Sequence, residues 1–459
     1  MEERKSGERK PSLFAKISVK IVRMKNAVFA FCFLILPIST AVAIPRNPPP
    51  IFESDYVLPT TSTPMPTCSV ATENWLAVIL YGAFLFLAVH GAFTWRSRRG
   101  LFLLAVASVV VLGFLMNGCP CPVGMFQNIV DAFVQPTTLL PWTVLILFTV
   151  PLLIALFFGR VFCSGVCPFG AVQELTAVKP IKIPDGLEHA LGLFRYVCLG
   201  LGVFCVTTEL GYVICRFDPY VGFFRRSGLY PVLVFGGIIL GLGFFVGRPF
   251  CRFLCPYGAL LGLCGSLTKK KVSITPGDCT NCRLCEEICP YNAILPPTAP
   301  LSAVERKLGP KRLLTALVAL PILVGCFAIL GHRVGPMFAP WNRDVRLAEL
   351  LYAEEMKIVD SFGNFPETRT ILQTGTPYGE VYRQALLRIE TFRTAGLWFG
   401  VWIGTVIGLK FIFLVLRRRR TDYEVDPARC VACGRCFWYC PNQKEFRVLL
   451  EPEKSRNTD

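Results

Sequence analysis

Eight apolar stretches set what this chain can fold into. They run at roughly 27–44, 75–95, 101–118, 138–158, 189–207, 230–247, 311–331 and 396–416, and each is close to the ~20 residues that cross a bilayer as a helix. Of 459 residues, 53% are hydrophobic and only 17% charged. That is too apolar for a soluble globular domain. Within lipid, only helices and closed barrels satisfy their own backbone groups, and stretches this long read as helices. The expected fold is an all-α polytopic membrane protein of about seven to eight spans. The stretch at 27–44 follows a basic segment and ends near Ala41-Val42-Ala43. It therefore reads equally as an uncleaved anchor or a signal peptide, and both place residue 45 outside.

The net charge of +17 follows this topology. Basic clusters lie at 4–25, Arg96–Arg99, Lys269–Lys271, Lys311-Arg312 and Arg417–Arg420. With eight spans they share one face, the cytoplasm, as the positive-inside rule requires. Arg225-Arg226 is the main exception. Charge distributed in this way marks topology and argues against nucleic acid as a partner. No GxGxxG opens a βαβ unit and no Walker motif is present, which argues against nicotinamide binding and an ATP-driven pump. Three histidines, His90, His189 and His332, give little basis for a bis-His haem.

Inside the apolar background a repeat appears. GRVFCSGVCPFGA at 159–171 returns as GRPFCRFLCPYGA at 247–259, each time after an apolar run. Cys163 and Cys167 lie four apart, as do Cys251 and Cys255, which on a continuous helix would put each pair on one face. Pro168 and Pro256 suit the first turn of a new helix. If the copies face each other, four thiols are available for a further cluster or metal. Otherwise the motifs are small-residue turns packed in a helical core. Arg160 and Arg248 precede both copies, as topology anchors or as cations beside thiolates. On the outer side, Cys119, Cys121 and Cys215 lie in Pro-Gly turns of the two halves and form a candidate redox or metal group. Glu174, Gln173, Arg195, Glu209, Arg216 and Asp218 are the other polar residues beside the spans, where ionisable groups often mark function.

The strongest chemistry lies downstream. Cys279, Cys282, Cys285 and Cys289-Pro290 have the spacing C-x2-C-x2-C-x3-C-P, and Cys430, Cys433, Cys436 and Cys440-Pro441 repeat it. This is the bacterial ferredoxin spacing, in which the fourth cysteine ligates the other [4Fe-4S] cluster. The expected ligands are Cys279, Cys282, Cys285 and Cys440 for one cluster, and Cys430, Cys433, Cys436 and Cys289 for the second. The two motifs lie some 150 residues apart in sequence, so the spans between them must form a hairpin that brings them together in a small α+β module.

The expected organisation follows. A basic N-terminus and anchor or signal peptide (1–44) leads to an external Pro-rich linker (45–74). Two membrane repeats occupy 75–180 and 181–268. The first ferredoxin half is 269–310 and the second is 417–459. Between them a transmembrane hairpin (311–331 and 396–416) carries an external cap (332–395).

The paired CxxxCP and ferredoxin motifs resemble the NapH/NosR-type membrane 4Fe-4S proteins, quinol dehydrogenase membrane components. The resemblance covers about 75–300 and 417–459. It implies cytoplasmic clusters in the bacterial inner membrane, with both termini and the ferredoxin module in the cytoplasm. It further implies electron transfer between the quinone pool, or a cytoplasmic ferredoxin-like donor, and a periplasmic redox partner. The alternative expectation is a copper or thiol reductase that matures another redox enzyme.

Overall fold

The computed structural model describes residues 75–118, 121–135, 140–178, 180–225, 230–268, 272, 274, 282–298, 303–355, 377–416, 420 and 422–440. The expected anchor, the external linker, Cys119, Cys279 and residues 356–376 of the expected cap lie outside the described residues. The first half begins with α1 (Trp75–Phe93) and α2 (Arg98–Ser108), which widens into a π-helical turn over Val109–Leu115. The amphipathic α3 (Pro122–Val134) and α4 (Trp142–Phe158) follow. Two short helices, α5 (Phe162–Gly165) and α6 (Pro168–Thr176), close this half. The second half has a similar order: α7 (Asp185–Thr207), short α8 (Val213–Phe217) and α9 (Pro219–Arg225), then α10 (Tyr230–Leu242). It closes with α11 (Pro249–Phe253) and α12 (Pro256–Ser266).

Five helical segments are long and apolar enough to cross a membrane among the described residues: Trp75–Phe93, Arg98–Leu115, Asp185–Thr207, Gly309–Trp341 and Tyr378–Val415. The stretches expected at 138–158 and 230–247 are instead the shorter apolar helices Trp142–Phe158 and Tyr230–Leu242. Pro141 caps the first of these, and the chain leaves the second at a run of turns beginning at Gly243.

The CxxxCP motif does not form one helix, contrary to the expectation of a shared helical face. Cys163 sits on α5 while Cys167 caps α6, and Cys251 sits on α11 while Cys255 caps α12. The reason is proline. Pro168 and Pro256 have no N–H to continue a helix but are well suited to start one.

The hairpin consists of α14 (Ala303–Val334) and α16 (Tyr378–Val415), joined on the far side by a 3₁₀ turn at Gly335–Trp341 and α15 (Arg343–Glu355). Both long helices run well past the spans expected from hydropathy. Glycines at 396, 400, 404 and 408 form one stripe of α16, buried against α14. A β-carbon on Gly400 would stand 2.0 Å from the carbonyl oxygen of Phe327. Such close backbone approach is how apolar helices gain packing where lipid gives no hydrophobic drive. Gly400→Leu is expected to prise the hairpin apart, and protease sensitivity of the connecting segment should rise sharply. An unchanged digestion pattern would refute this.

The ferredoxin halves come together as the fourth-cysteine logic requires. Helix α13 (Leu284–Ile288) packs on α17 (Arg435–Tyr439). Strand β1 (Ile294–Leu295) pairs antiparallel with β2 (Glu424–Val425), Ile294 opposite Val425. The Asp426 N–H adds a bond to the Ala293 carbonyl at 2.7 Å. Two buried carboxylates, Glu174 and Glu188, seat this module on the membrane helices.

Candidate iron–sulfur sites

A cavity in the ferredoxin module is lined by Cys289, Cys430, Cys433 and Cys436, the four side chains expected to share the second cluster. The loop is shaped to expose backbone donors. Ala432 and Gly434 adopt left-handed φ values of 53° and 74°. This turns the Ala432 N–H onto the Cys430 sulfur at 3.4 Å. Burial pushes the Cys430 thiol up to about 12 and raises Cys289 and Cys436 as well. Neighbouring thiols add to the rise in each case. Metal binding to thiols in such an environment would release their protons. For the other expected cluster, Cys285 is buried, Cys440 half-buried and Cys282 exposed, while Cys279 lies outside the described residues.

Beneath this module lie the repeated cysteines. Cys255 is within electrostatic reach of Cys251, Cys167 and Cys163, and Cys167 of Cys251 and Cys163. The two motifs exchange their arginines. Arg248 of the second copy donates to the Cys163 carbonyl of the first, and Arg160 of the first donates to the Cys251 carbonyl of the second at 3.4 Å. Gly170 and Gly258 make room: a β-carbon at either would stand 2.9 Å from the Cys163 or Cys251 carbonyl and against the incoming guanidinium. Gln173 donates to the Cys251 sulfur at 3.2 Å and accepts the Phe250 N–H at 3.0 Å.

The depth of this site follows from α1. Phe162, beside Cys163, packs on Tyr81 with ring centroids 5.9 Å apart. At 1.5 Å rise per residue, Tyr81 lies roughly 18 Å along α1 from Phe93, the end that leads to the ferredoxin module. The chain reaches the module-side end of α4, where Phe158 meets Phe93, then turns back toward Tyr81 of α1 before presenting its cysteines.

Among the described residues, no group of three or more His, Cys, Asp or Glu closes around a single metal ion. A cubane needs a wider square, since each thiolate takes its own iron. The surrounding charge fits such an anionic group. Arg160 is 3% exposed and bonds only to the Ala428 and Cys251 carbonyls, with the Cys163 sulfur at 4.0 Å. No carboxylate pairs with it among the described residues. A buried cation without a counter-ion is costly, and four thiolates around a cluster supply that anion.

One carboxylate ties the two sites together. Glu174, 2% exposed, accepts from Arg98 at 2.6 Å and from Arg435 at 2.7 and 3.0 Å on one oxygen. On the other oxygen it accepts from Arg248 at 3.2 Å and from Tyr291 at 2.6 Å. Burial alone would raise its pKa, but Arg435, Arg98 and Arg248 outweigh it and hold the carboxyl well below the usual range. Glu188 binds the Asn292 amide at 2.7 Å, and Arg252 reaches the Pro290 carbonyl at 3.1 Å.

The outer-turn cysteines are placed together but hydrogen-bonded as thiols. Cys121 donates to Asp218 at 3.6 Å and Cys215 to Gln127 at 2.7 Å. Burial raises Asp218 to about 6. Both sulfurs border the same apolar cluster as Cys167 and Cys255.

The comparisons agree with these sites. A family model described as a 4Fe-4S binding domain matches residues 140–184 and 229–275, the two CxxxCP regions. A second model of the same description matches 272–295 and 423–443, the two ferredoxin halves. Over these segments the chain is similar to 4Fe-4S binding domains. The chain is 31% identical to Protein NirI of Paracoccus denitrificans over 48% of its own length and 34% of the relative's. It is 30% identical to the methylamine utilization ferredoxin-type protein MauN of the same organism, over 32% of the chain and 55% of MauN. It is 28% identical to the regulatory protein NosR of Stutzerimonas stutzeri, over 45% of the chain and 30% of NosR. The chain thus spans only about a third of NirI and of NosR. No solved structure matches it.

Sequence reasoning named Glu174 and Arg248 without seeing that they meet, and it missed Arg98, Tyr291 and Arg435 as further partners of Glu174.

Proposed function

We propose that this chain is a membrane-bound electron-transfer protein with three iron–sulfur sites in series. Two are the ferredoxin clusters, held by Cys279, Cys282, Cys285 and Cys440 and by Cys430, Cys433, Cys436 and Cys289. The third is held by Cys163, Cys167, Cys251 and Cys255. The observation that supports this reading is the convergence of the four CxxxCP cysteines between the two repeats, among buried arginines of which Arg160 has no carboxylate partner among the described residues. [4Fe-4S] clusters, when bound, supply one-electron redox centres. The hydrocarbon core is ~30 Å thick, too wide for one transfer from a module on one face to a partner on the other. A site partway down α1 divides that distance.

The protein's own groups do the rest. Arg160 and Arg248 hold the carbonyls of Cys163 and Cys251 and balance thiolate charge. Gln173 fixes one sulfur. The apolar packing of Tyr81, Phe162 and Tyr257 keeps water from the site. The basic Arg96, Arg98 and Arg99 lie on the module side, where Arg96 and Arg99 stack on Phe437 and Trp438. That supports a cytoplasmic module in a bacterial inner membrane. The external partner is then a periplasmic redox protein. Toward the far side, an apolar cavity of about 410 Å³ between α7, α14 and α16, lined by Phe204, Phe327, Phe338 and Phe399 among others, suits an isoprenoid quinone.

Anaerobic purification, iron analysis and EPR after quinol addition test the proposal. About twelve irons per chain, four for each set of four cysteines, with clusters reducible by quinol, are expected. About eight irons would remove the CxxxCP centre. Clusters reduced by dithionite but not by quinol would remove the quinone.

A further inference from the structure

Glu174 joins the two four-cysteine sites through a short chain of hydrogen bonds. From the ferredoxin side, Arg98 donates to the Cys433 carbonyl at 2.7 Å and to Glu174 at 2.6 Å. From the other side, Arg248 donates to Glu174 at 3.2 Å and to the Cys163 carbonyl. Every link from Cys433 to Cys163 is thus a hydrogen bond or a single side chain. Arg435 and Tyr291, both within two residues of a cavity cysteine, complete the carboxylate's coordination. Three guanidiniums meet one carboxylate, which leaves the hub cationic between two sites that hold anionic clusters. Charge this near a cluster, in a medium of low effective dielectric, is a principal lever on reduction potential.

We propose that Glu174 is the positioning carboxylate that couples the CxxxCP centre to the second ferredoxin cluster. It sets their potentials and holds the path between them. This rests on the reading above that both sites carry clusters. In Glu174→Gln, the remaining oxygen would stay with Arg98 and Arg435, where three bonds converge. The amide nitrogen would then face Arg248 and Tyr291, so the arm toward Cys163 opens. Loss of the negative charge favours the added electron at both centres.

The test is a redox titration followed by EPR, with freeze-quench measurement of electron equilibration between centres. The expected result for Glu174→Gln is unchanged iron content and potentials that rise at both centres. A tenfold or larger change in the reduced fraction at fixed potential is expected, about 59 mV for one electron, with equilibration at least tenfold slower. Glu188→Gln is the control. It neutralises the other docking carboxylate, whose partners Arg252, Asn292 and Arg429 lie outside the Arg98–Glu174–Arg248 chain, so it should shift the potentials less than Glu174→Gln and leave equilibration unchanged. Equal behaviour of the two variants would reduce Glu174 to a docking anchor and overturn the proposal. If Glu174→Gln loses iron, Glu174→Asp decides: it keeps the charge but shortens the reach. Slowed equilibration at wild-type potentials supports the coupling role, and wild-type rates overturn it. Wild-type protein with about eight irons would refute the three-centre reading itself. About twelve irons with unmoved potentials in Glu174→Gln would refute this proposal alone.

Discussion

Cys251→Ser should lower the iron content by about four atoms per chain and leave the ferredoxin signals in place. Cys251 is 7% exposed, accepts from Gln173 and faces three other thiols, so no nearby group can replace its sulfur as a ligand. The ferredoxin cavity shares none of these four side chains. Electron delivery from the module to an external acceptor should fall by orders of magnitude, because the mid-depth step is gone. Cys289→Ser should give the complementary result: the CxxxCP centre remains and the second ferredoxin cluster is lost. If Cys251→Ser kept full iron content, the four cysteines would be packing residues and the series would collapse to the module alone.

The second large effect is on folding. Glu174→Leu leaves Arg98, Arg248 and Arg435 without their shared carboxylate, two of them buried. Removing one partner of a buried ion pair costs about 3–5 kcal/mol, a large part of the margin by which most domains are stable. The module should detach from the membrane helices and become protease-sensitive. Adding Arg435→Leu should restore part of the loss, since fewer stranded cations remain. The acid response follows the same logic. The carboxyl of Glu174 lies below its ordinary value of 4.5 when folded. Its stabilisation is therefore complete above that value and disappears as pH falls through the lowered folded value. Docking measured by protease protection should stay level from neutral pH down to about 4.5. A loss of protection near pH 6 would assign docking to another group.

What the sequence made plain and what it hid divide by range. The ferredoxin ligands are legible because their spacing is a local rule, and the fourth cysteine carries its own instruction to reach for the other motif. The pairing of Ile294 with Val425 across the hairpin follows from that instruction. The hub is not legible, because Glu174 meets Arg98 from 76 residues away and Arg435 from 261. Its one signal was a lone carboxylate in an apolar helix whose repeat counterpart is Gly262. Hydropathy also misjudged lengths. It finds where lipid begins, but α16 starts earlier, at Tyr378, because Val381, Ala385 and Phe392 pack in one apolar cluster with Val345, Ala348 and Leu351 of α15. The broken CxxxCP helix was foreshadowed by Pro168 and Pro256, yet their effect on which way each cysteine faces depends on how the two copies fold against each other.

The strand pairing also has a consequence for biosynthesis. About 130 residues separate β1 from β2, and a ribosome adding ~5–20 residues per second takes roughly 6–26 s to make them. During that interval the first ferredoxin half has been translated but lacks its partner strand, and Cys289 lacks the loop that completes its site. On the proposed ligand sets, iron delivery to either ferredoxin site waits until the membrane hairpin has been inserted and its second arm has returned. Maturation of this protein is a step after translation, and its rate should depend on membrane insertion as much as on iron supply.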